Sequence, residues 1–301
     1  MDILIYGHNG WIGQQVIQLL NKDECKINFY CSQYRVDDTT NIEKELLELN
    51  PSHLLCLVGR THGTIDSKEY TTIDYLEQPG KLYENVRDNL YSPVFLSLLA
   101  KKHNKHLTYL GTGCVFNYDE NHPFGLEENG FTEQDKPNFF GSSYSIVKGF
   151  TDLLMHQMET NTLNLRIRMP ITCNLSSRNF ISKILNYKKI CSIPNSMSVL
   201  PDLLPVMLDM MRNNELGTFN FTNPGLISHN EILTMYRDIV DYTFTWENFT
   251  IEEQNMILDS KRSNNFLDTT KLEGKYNVPN IKESVKKILH ELNDKINENI
   301  T

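Results

Sequence analysis

Short apolar runs alternate with helix-patterned segments through the first half of the chain, and this rhythm restricts the fold more than any single residue does. Residues 3–6 form an apolar run that ends in a glycine loop, followed by a helical pattern through Val16, Leu19 and Leu20. Residues 26–31 read as a second strand, 42–49 as a helix, and 53–58 as a third strand ending at Gly59. A helix over 85–101, a strand over 107–110, a helix over 143–158 and a strand over 163–168 continue the series. Strands separated by helices of this length run parallel, with helices on both faces. The predicted class is therefore α/β, a doubly wound parallel sheet in which ligands bind beyond the carboxyl ends of the strands.

After Pro170 the rhythm breaks into short strands, loops at 194–196 and 223–225, and amphipathic helices from about 229 and 282. This predicts a dinucleotide-binding domain over 1–168 and a smaller lobe over 169–301, interleaved at the boundary and sharing one cleft. No internal repeat or long linker interrupts the chain.

Gly7-x-x-Gly10-x-x-Gly13 follows the first strand and opens a helix. Glycines at this spacing allow a tight turn, close approach of a pyrophosphate, and close helix–strand packing, with the helix N-terminus facing the phosphates. In this context the triplet predicts a Rossmann-type cofactor site. An acid at the end of the second strand would hold the ribose 2′-hydroxyl of NAD, but the segment is Tyr30-Cys31-Ser32-Gln33-Tyr34-Arg35, with no acid before Asp37. Ser32 and Arg35 can instead take a 2′-phosphate, which favours NADPH (NADP); a solvated surface arginine is the plainer reading. Gly59 and Arg60, after the third strand, border the path of the adenosine and ribose. Asn89 lies within the long helix, where a helix distortion would let it support the site; packing alone explains it equally well.

Of the fourteen tyrosines, only Tyr144 has a lysine four residues later, Lys148. That spacing puts both side chains on one helix face. An ammonium beside a phenol is expected to lower the phenol pKa, so Tyr144 can pass a proton to a carbonyl oxygen as hydride reaches the carbon. Thr112, closing the preceding strand, supplies a hydroxyl to orient that carbonyl. Together with the glycine loop, this is the layout of a nicotinamide-dependent short-chain dehydrogenase/reductase. Cys114 exceeds what a carbonyl reducer needs. A thiol tuned by nearby cations is an acid/base able to move the acidic protons flanking a ketone; the alternative is a packing cysteine behind Thr112. Its partner would approach from the other face of the sugar, and Lys183 in the second lobe is the candidate, against the plainer reading of a surface lysine.

A net charge of −9 excludes non-specific nucleic-acid binding. No apolar run is long enough to span a bilayer, and the N-terminus reads directly into a strand without a basic leader. The six cysteines show no metal spacing, so no metal is expected, and reduced thiols suit a cytoplasmic protein.

These stretches resemble the plant-type bifunctional 3,5-epimerase/4-reductase of nucleotide-rhamnose synthesis, an extended short-chain dehydrogenase/reductase. The likeness runs through Gly7–Gly13 with Trp11 and Ile12, residues 112–119, Tyr144–Lys148, 166–171, 178–181, 193–197, 220–225, 228–233 and 262–265, essentially the whole chain. It implies UDP-4-keto-6-deoxy-D-glucose as substrate, NADPH as reductant and UDP-L-rhamnose as product. Cys114 and Lys183 would epimerise, while Thr112, Tyr144 and Lys148 would reduce. It further implies cofactor contacts by Trp11, Ile12 and Pro170, sugar-nucleotide contacts by Asn179, Asn195 and Arg262, and a homodimer. GDP-fucose synthase and the bacterial dTDP-4-dehydrorhamnose reductase are more distantly similar, the latter with Asp and Tyr where this chain has Gly113 and Cys114. The departure is the loop 58–63 and the following 65–70, which leaves the role of His62 open. A reductase that receives already epimerised sugar, and a non-catalytic cofactor-binding subunit, are the rival readings; the second would be marked by loss of Tyr144 or Lys148, and both are present.

Overall fold

The computed structural model describes residues 1–22 and 27–298; Cys25 and Lys26, the expected start of the second strand, lie outside them. The chain divides into two compact units, the first comprising 1–115, 136–166 and 204–219, the second 116–135, 167–203 and 220–301. Among the described residues no helix is long and apolar enough to cross a membrane.

In chain order the elements begin with β1 (Asp2–Tyr6), α1 (Trp11–Lys22), β2 (Asn28–Cys31), α2 (Thr39–Leu49) and β3 (His53–Cys56). A hairpin of β4 (Gly63–Ile65) and β5 (Lys68–Tyr70) follows, then α3 (Leu82–Val86), a π-helical turn over Arg87–Tyr91, and α4 (Ser92–Lys102). β6 (His106–Thr112), α5 (Ser143–His156) and β7 (Thr162–Ile167) come next, then α6 (Phe180–Leu185), β8 (Lys189–Ile190), α7 (Leu200–Arg212) and β9 (Gly217–Asn220). The chain closes with α8 (His229–Ile239), β10 (Glu247–Asn248), α9 (Ile251–Ile257), α10 (Thr270–Glu273) and α11 (Ile281–Glu298).

The six-stranded sheet has the order β2-β1-β3-β6-β7-β9. β1 pairs in parallel with β2 and β3, and β3 with β6, in a register that sets Ile3 beside His53 and His53 beside His106. From β1 the chain winds outward one way to β2 and the other way through β3, so the order reverses between β1 and β3. A crevice beyond the carboxyl ends of the strands opens at such a reversal. β1 and β3 are buried almost throughout because helices cover both faces. Leu4, Tyr6, Leu54, Cys56, Leu107 and Tyr109 pack against Ile42 and Leu46 of α2 and Leu96, Leu99 and Ala100 of α4.

The second unit has its own core. Ile281, Val285, Ile288, Leu289 and Leu292 recur at helical spacing along α11 and pack with Ile232 and Leu233 of α8 and Ile181 and Ile184 of α6. Ser228 and Glu231 close a capping box that starts α8 where the sequence places it.

Two elements depart from the sequence reading. α7 carries Pro205 inside it, which hides the helix from pattern reading. The β4–β5 hairpin turns through Asp66 and Ser67 at positive φ (45° and 66°), the handedness of a tight hairpin turn without its usual glycine.

The base of the sheet is tied by two histidines. His53 Nε2 contacts the Met211 carbonyl at 3.1 Å, His106 Nε2 contacts that of Glu215 at 2.8 Å, and the rings lie 4.8 Å apart. Burial, with His106 adding repulsion, holds His53 down at about 4, and burial lowers His106. The unfolded chain therefore binds protons that the fold refuses. Their stabilisation is fully present above the ordinary histidine value near 6.5 and is lost as pH falls toward 4. We expect the urea midpoint to decline over that window and the decline to flatten in His53→Asn; identical slopes in the two proteins would contradict this.

Candidate active site

The glycine loop between β1 and α1 is built by steric exclusion. Gly7 has φ +83°, and a Cβ there would stand 2.8 Å from the Leu57 carbonyl carbon. A Cβ at Gly13 would collide with the Gly7 carbonyl and lie 2.7 Å from His8 Cα. α1 is thus drawn close under β1, with its N-terminus at the sheet's carboxyl end. Nearby, Trp11 Nε1 and His8 Nδ1 are buried without a hydrogen-bond partner. Orphaned polar atoms around a helix N-terminus fit a dinucleotide whose phosphates and polar edges would meet them.

At the end of β2, Ser32 is buried and donates to Glu45 Oε2 at 2.6 Å, while the Gln33 backbone N–H donates to Glu45 Oε1 at 2.9 Å. The Ser32 hydroxyl is thus turned inward, away from the role expected of it. Arg35 is different: its side chain is 60% exposed, with Nε 3.1 Å from Asp37 and Nη2 3.4 Å from Asp88. Asp88 also accepts from Arg60 at 3.0 Å and Arg87 at 2.7 Å, so three guanidinium groups gather on one carboxylate.

Asn89 sits in the π turn, fully buried. Its Nδ2 donates to the Arg60 carbonyl at 2.8 Å and its Oδ1 accepts from the Arg60 N–H at 2.9 Å. The distortion of the helix thus lets one amide hold the backbone after β3 as a strand partner would. The held segment includes Gly59, where a Cβ would stand 3.3 Å from Asn89 Oδ1 and 3.9 Å from Lys148 Nζ.

Helix α5 carries the Tyr–Lys pair and is pinned at its start. Ser142 caps it, accepting from the Ser145 N–H at 3.0 Å. Ser145 Oγ donates to the Cys114 carbonyl at 2.8 Å, Asn85 Nδ2 donates to Ser143 Oγ at 2.8 Å, and the Ser143 N–H donates to Glu77 Oε1 at 2.7 Å. The sequence reading missed Glu77, Asn85 and the serines. A Ser-Ser before the Tyr is a legible cap, but nothing local points to partners over 30 residues away.

These ties bring Thr112, Cys114, Tyr144 and Lys148 together in the first unit. Thr112 Oγ1 accepts from the Cys114 N–H at 3.1 Å and hydrogen-bonds the Tyr144 side chain. Half-buried Cys114 packs with Tyr144 in a small apolar cluster that includes Tyr75, Leu76 and, from the hairpin, Ile65 and Tyr70. Hence the divergent 58–70 region forms the wall beside the proposed thiol and phenol.

The electrostatics correct one expectation. Lys148 Nζ donates to the hydroxyl of Tyr109, at 2.6 Å, rather than lowering Tyr144. Burial, then the neighbouring Cys114 thiol, raise the Tyr144 phenol, against the Thr112 bond that lowers it. Tyr144 is thus held protonated, which suits a proton donor better than a base. Burial lowers Lys148 to about 8, while Cys56, Cys114 and Asp152 pull it back up. Burial alone would raise Asp152, but Arg166, at 2.7 Å and 2.9 Å through two nitrogens, holds that carboxylate well below its usual range.

In the second unit, Asn179 and Asn195 are buried scaffolding. Asn179 accepts from the N–H groups of Ile181 and Thr172 and donates to the carbonyls of Thr172 and Asn174. Asn195 accepts from Arg168 Nη2 and the Asn265 N–H, and donates to the Ile193 carbonyl and Asn264 Oδ1. Each amide makes four hydrogen bonds within its own unit. Arg262 Nη1 donates to Ser260, half-buried beside them. Lys183 is half-buried on α6, one turn beyond its cap Asn179, and Pro170 accepts at its carbonyl from the Phe180 N–H at 3.0 Å.

A glycine-turned Rossmann sheet with a threonine, a Tyr-x-x-x-Lys pair and a second unit defines an extended short-chain dehydrogenase/reductase. No family model matches the chain. It is 53% identical over 293 residues to protein L780 of Acanthamoeba polyphaga mimivirus, covering 97% of this chain and 99% of that one. The crystal structure of that protein, the L780 UDP-rhamnose synthase, superposes with a TM-score of 0.91 at 52% identity, over 97% and 99% of the two chains. A bifunctional dTDP-4-dehydrorhamnose 3,5-epimerase/reductase of Arabidopsis thaliana is 40% identical over 98% of this chain and 94% of its own. A dTDP-4-dehydrorhamnose reductase structure from Clostridium acetobutylicum, 18% identical, shares the fold with a TM-score of 0.78 over 99% and 100% of the two chains. The chain belongs to the family of rhamnose-forming epimerase/reductases and is an enzyme.

Lys148 is protonated in the fold at a cost. Its folded value near 8 lies below the ordinary 10.5, so the fold penalises the charged form below pH 8, and the penalty eases as pH rises toward 10.5. Its hydrogen bond goes to a neutral phenol, and Asp152 is already paired with Arg166. We therefore expect Lys148→Met to raise the thermal midpoint at pH 7, by roughly 2 kcal/mol of stability, while abolishing ketone reduction. A lowered midpoint would contradict this.

Proposed function

We propose that the enzyme converts UDP-4-keto-6-deoxy-D-glucose to UDP-L-rhamnose, inverting C3 and C5 and then reducing C4 with NADPH. The observation that carries this reading is the convergence of Thr112, Cys114, Tyr144 and Lys148 in one compact unit. It is supported by near full-length identity to a UDP-rhamnose synthase and to a plant bifunctional enzyme.

The ketone at C4 acidifies the hydrogens on C3 and C5. Cys114 and Lys183 act as the acid/base pair that removes and returns those protons. The Thr112 hydroxyl and the Tyr144 phenol donate to the C4 oxygen as negative charge builds there, and being preorganised they favour the enolate. The Gly7–Gly13 turn would hold the diphosphate of a nicotinamide cofactor, which when bound would supply the hydride for C4. Tyr144, kept protonated by burial, gives its proton to the C4 oxygen. Lys148 would hold the ribose of that cofactor, its ammonium fixed by the Tyr109 hydroxyl. Once C4 is reduced the flanking hydrogens lose their acidity, which fixes both inverted centres.

NADPH is favoured over NADH by the exposed Arg35 at the end of β2 and by an acid there, Glu45, already engaged by Ser32 and Gln33. Equal catalytic efficiencies with the two cofactors would contradict this. Ile146, Phe150, Leu153 and Leu154 form an exposed apolar face on α5, and Tyr91 and Leu98 another along the π turn and α4. These suit a homodimer seam; a monomer at all concentrations in sedimentation would contradict it.

The division of labour is testable in heavy water. Without NADPH, Cys114→Ala is expected to lose deuterium incorporation at C3, C5 or both, yet still to oxidise NADPH when given the pre-epimerised ketone. Tyr144→Phe should show the converse, with exchange retained and reduction lost. Unchanged exchange in the cysteine variant would reduce Cys114 to a packing residue and restore the simple reductase.

A further inference from the structure

Lys148 is enclosed by groups from every element around it. Cys56 faces it from β3, Gly59 from the segment after β3, Tyr109 from β6, Cys114 from just beyond β6, and Asp152 from α5 itself. The side chain is 5% exposed, so water cannot satisfy its ammonium as it would at a surface. The anionic candidates are committed or neutral. Asp152 is gripped by Arg166 through two hydrogen bonds. Burial, eased a little by Lys148 itself, pushes the Cys56 thiol up to about 11 and keeps it protonated.

Cys56, Cys114 and Asp152 act on the ammonium through their charge alone, whereas its hydrogen bond goes to the phenol of Tyr109, 1% exposed and register partner of Cys56 across β6 and β3. Its hydroxyl accepts from Lys148 Nζ at 2.6 Å, and its ring lies 4.9 Å from the same nitrogen. We infer that Tyr109 is a positioning residue for the reductive half of the reaction, its hydroxyl keeping the Lys148 ammonium charged and fixing where it points. This rests on the reductase reading of Tyr144 and Lys148. Tyr109 is not a proton relay: burial raises its phenol well above the ordinary range, and the ring is enclosed in the core with Leu54, Leu96 and Met155. A hydrogen bond to the charged form of an amine favours that form, so the hydroxyl acts against the burial that drives Lys148 to lose its proton.

The test uses Tyr109→Phe, which keeps the ring over Lys148 and removes only the acceptor, and Tyr109→Met, which removes both; either carries the test if the other fails to fold. In cofactor-free protein labelled with carbon-13 at the lysine ε-carbons, the Lys148 resonance reports its titration directly. We expect its midpoint to fall by about one pH unit in Tyr109→Phe, a tenfold change in the protonation equilibrium. In the same variant the alkaline limb of ketone reduction should move with it. The rate should fall about fivefold at pH 8 and agree with the parent within about twofold at pH 6. A purely structural role for Tyr109 would lower the thermal midpoint and leave both pH profiles in place; unchanged profiles overturn the proposal. Lys148→Met is the control that separates the two ideas. If it still reduces the ketone, the reductase reading fails. If it is inactive while Tyr109→Phe titrates as the parent does, only the role of Tyr109 is lost.

Discussion

A lysine ammonium buried beside the carboxyl end of a parallel sheet is the constraint around which the first unit is arranged. A charge that has left water needs a neutral acceptor, a nearby field and close walls. Tyr109 gives the acceptor, Asp152 and its tie to Arg166 give the field, and Gly59 gives the wall. Glycine keeps that wall close, since a Cβ there would stand 3.3 Å from Asn89 Oδ1 and in ordinary contact, 3.9 Å, with Lys148 Nζ. Asn89 in turn reaches the backbone after β3 from a π turn that interrupts an otherwise regular helix.

The same burial assigns the roles of the neighbouring groups. A phenol raised by its surroundings and hydrogen-bonded by Thr112 suits the proton donor of the proposed reduction. A half-buried thiol in the same apolar cluster lies close enough to influence both Tyr144 and Lys148. In the proposed mechanism, epimerisation and reduction draw on one set of donors around a single carbonyl. The hairpin that walls this cluster is the stretch where the sequence departs from the family pattern.

The parallel sheet was legible because its strands are apolar runs of the right length, separated by helices and closed by a glycine turn. The Tyr–Lys pair, the threonine and the cysteine were legible because their spacing carries chemistry on its own. The direction of the Tyr144 shift was not, since burial sets it first and the Cys114 thiol second, while Lys148 turns toward Tyr109, which reads as one more apolar residue in a buried strand. Asn179 and Asn195 stand in stretches that resemble the family, where the resemblance implies ligand contacts. Their four internal hydrogen bonds each are invisible to a reading in one dimension. α7 was hidden by its internal proline, and the β4–β5 turn by the absence of glycine at its two left-handed positions.

The central claim is that one chain both inverts two carbons and reduces a third. The direct measurement is the identity of the sugar formed from UDP-4-keto-6-deoxy-D-glucose and NADPH in heavy water, read by NMR. The account predicts UDP-L-rhamnose with solvent deuterium at C3 and C5. A D-configured 6-deoxy sugar carrying no solvent deuterium would contradict it, leaving a C4 reductase that waits for another enzyme to supply its substrate.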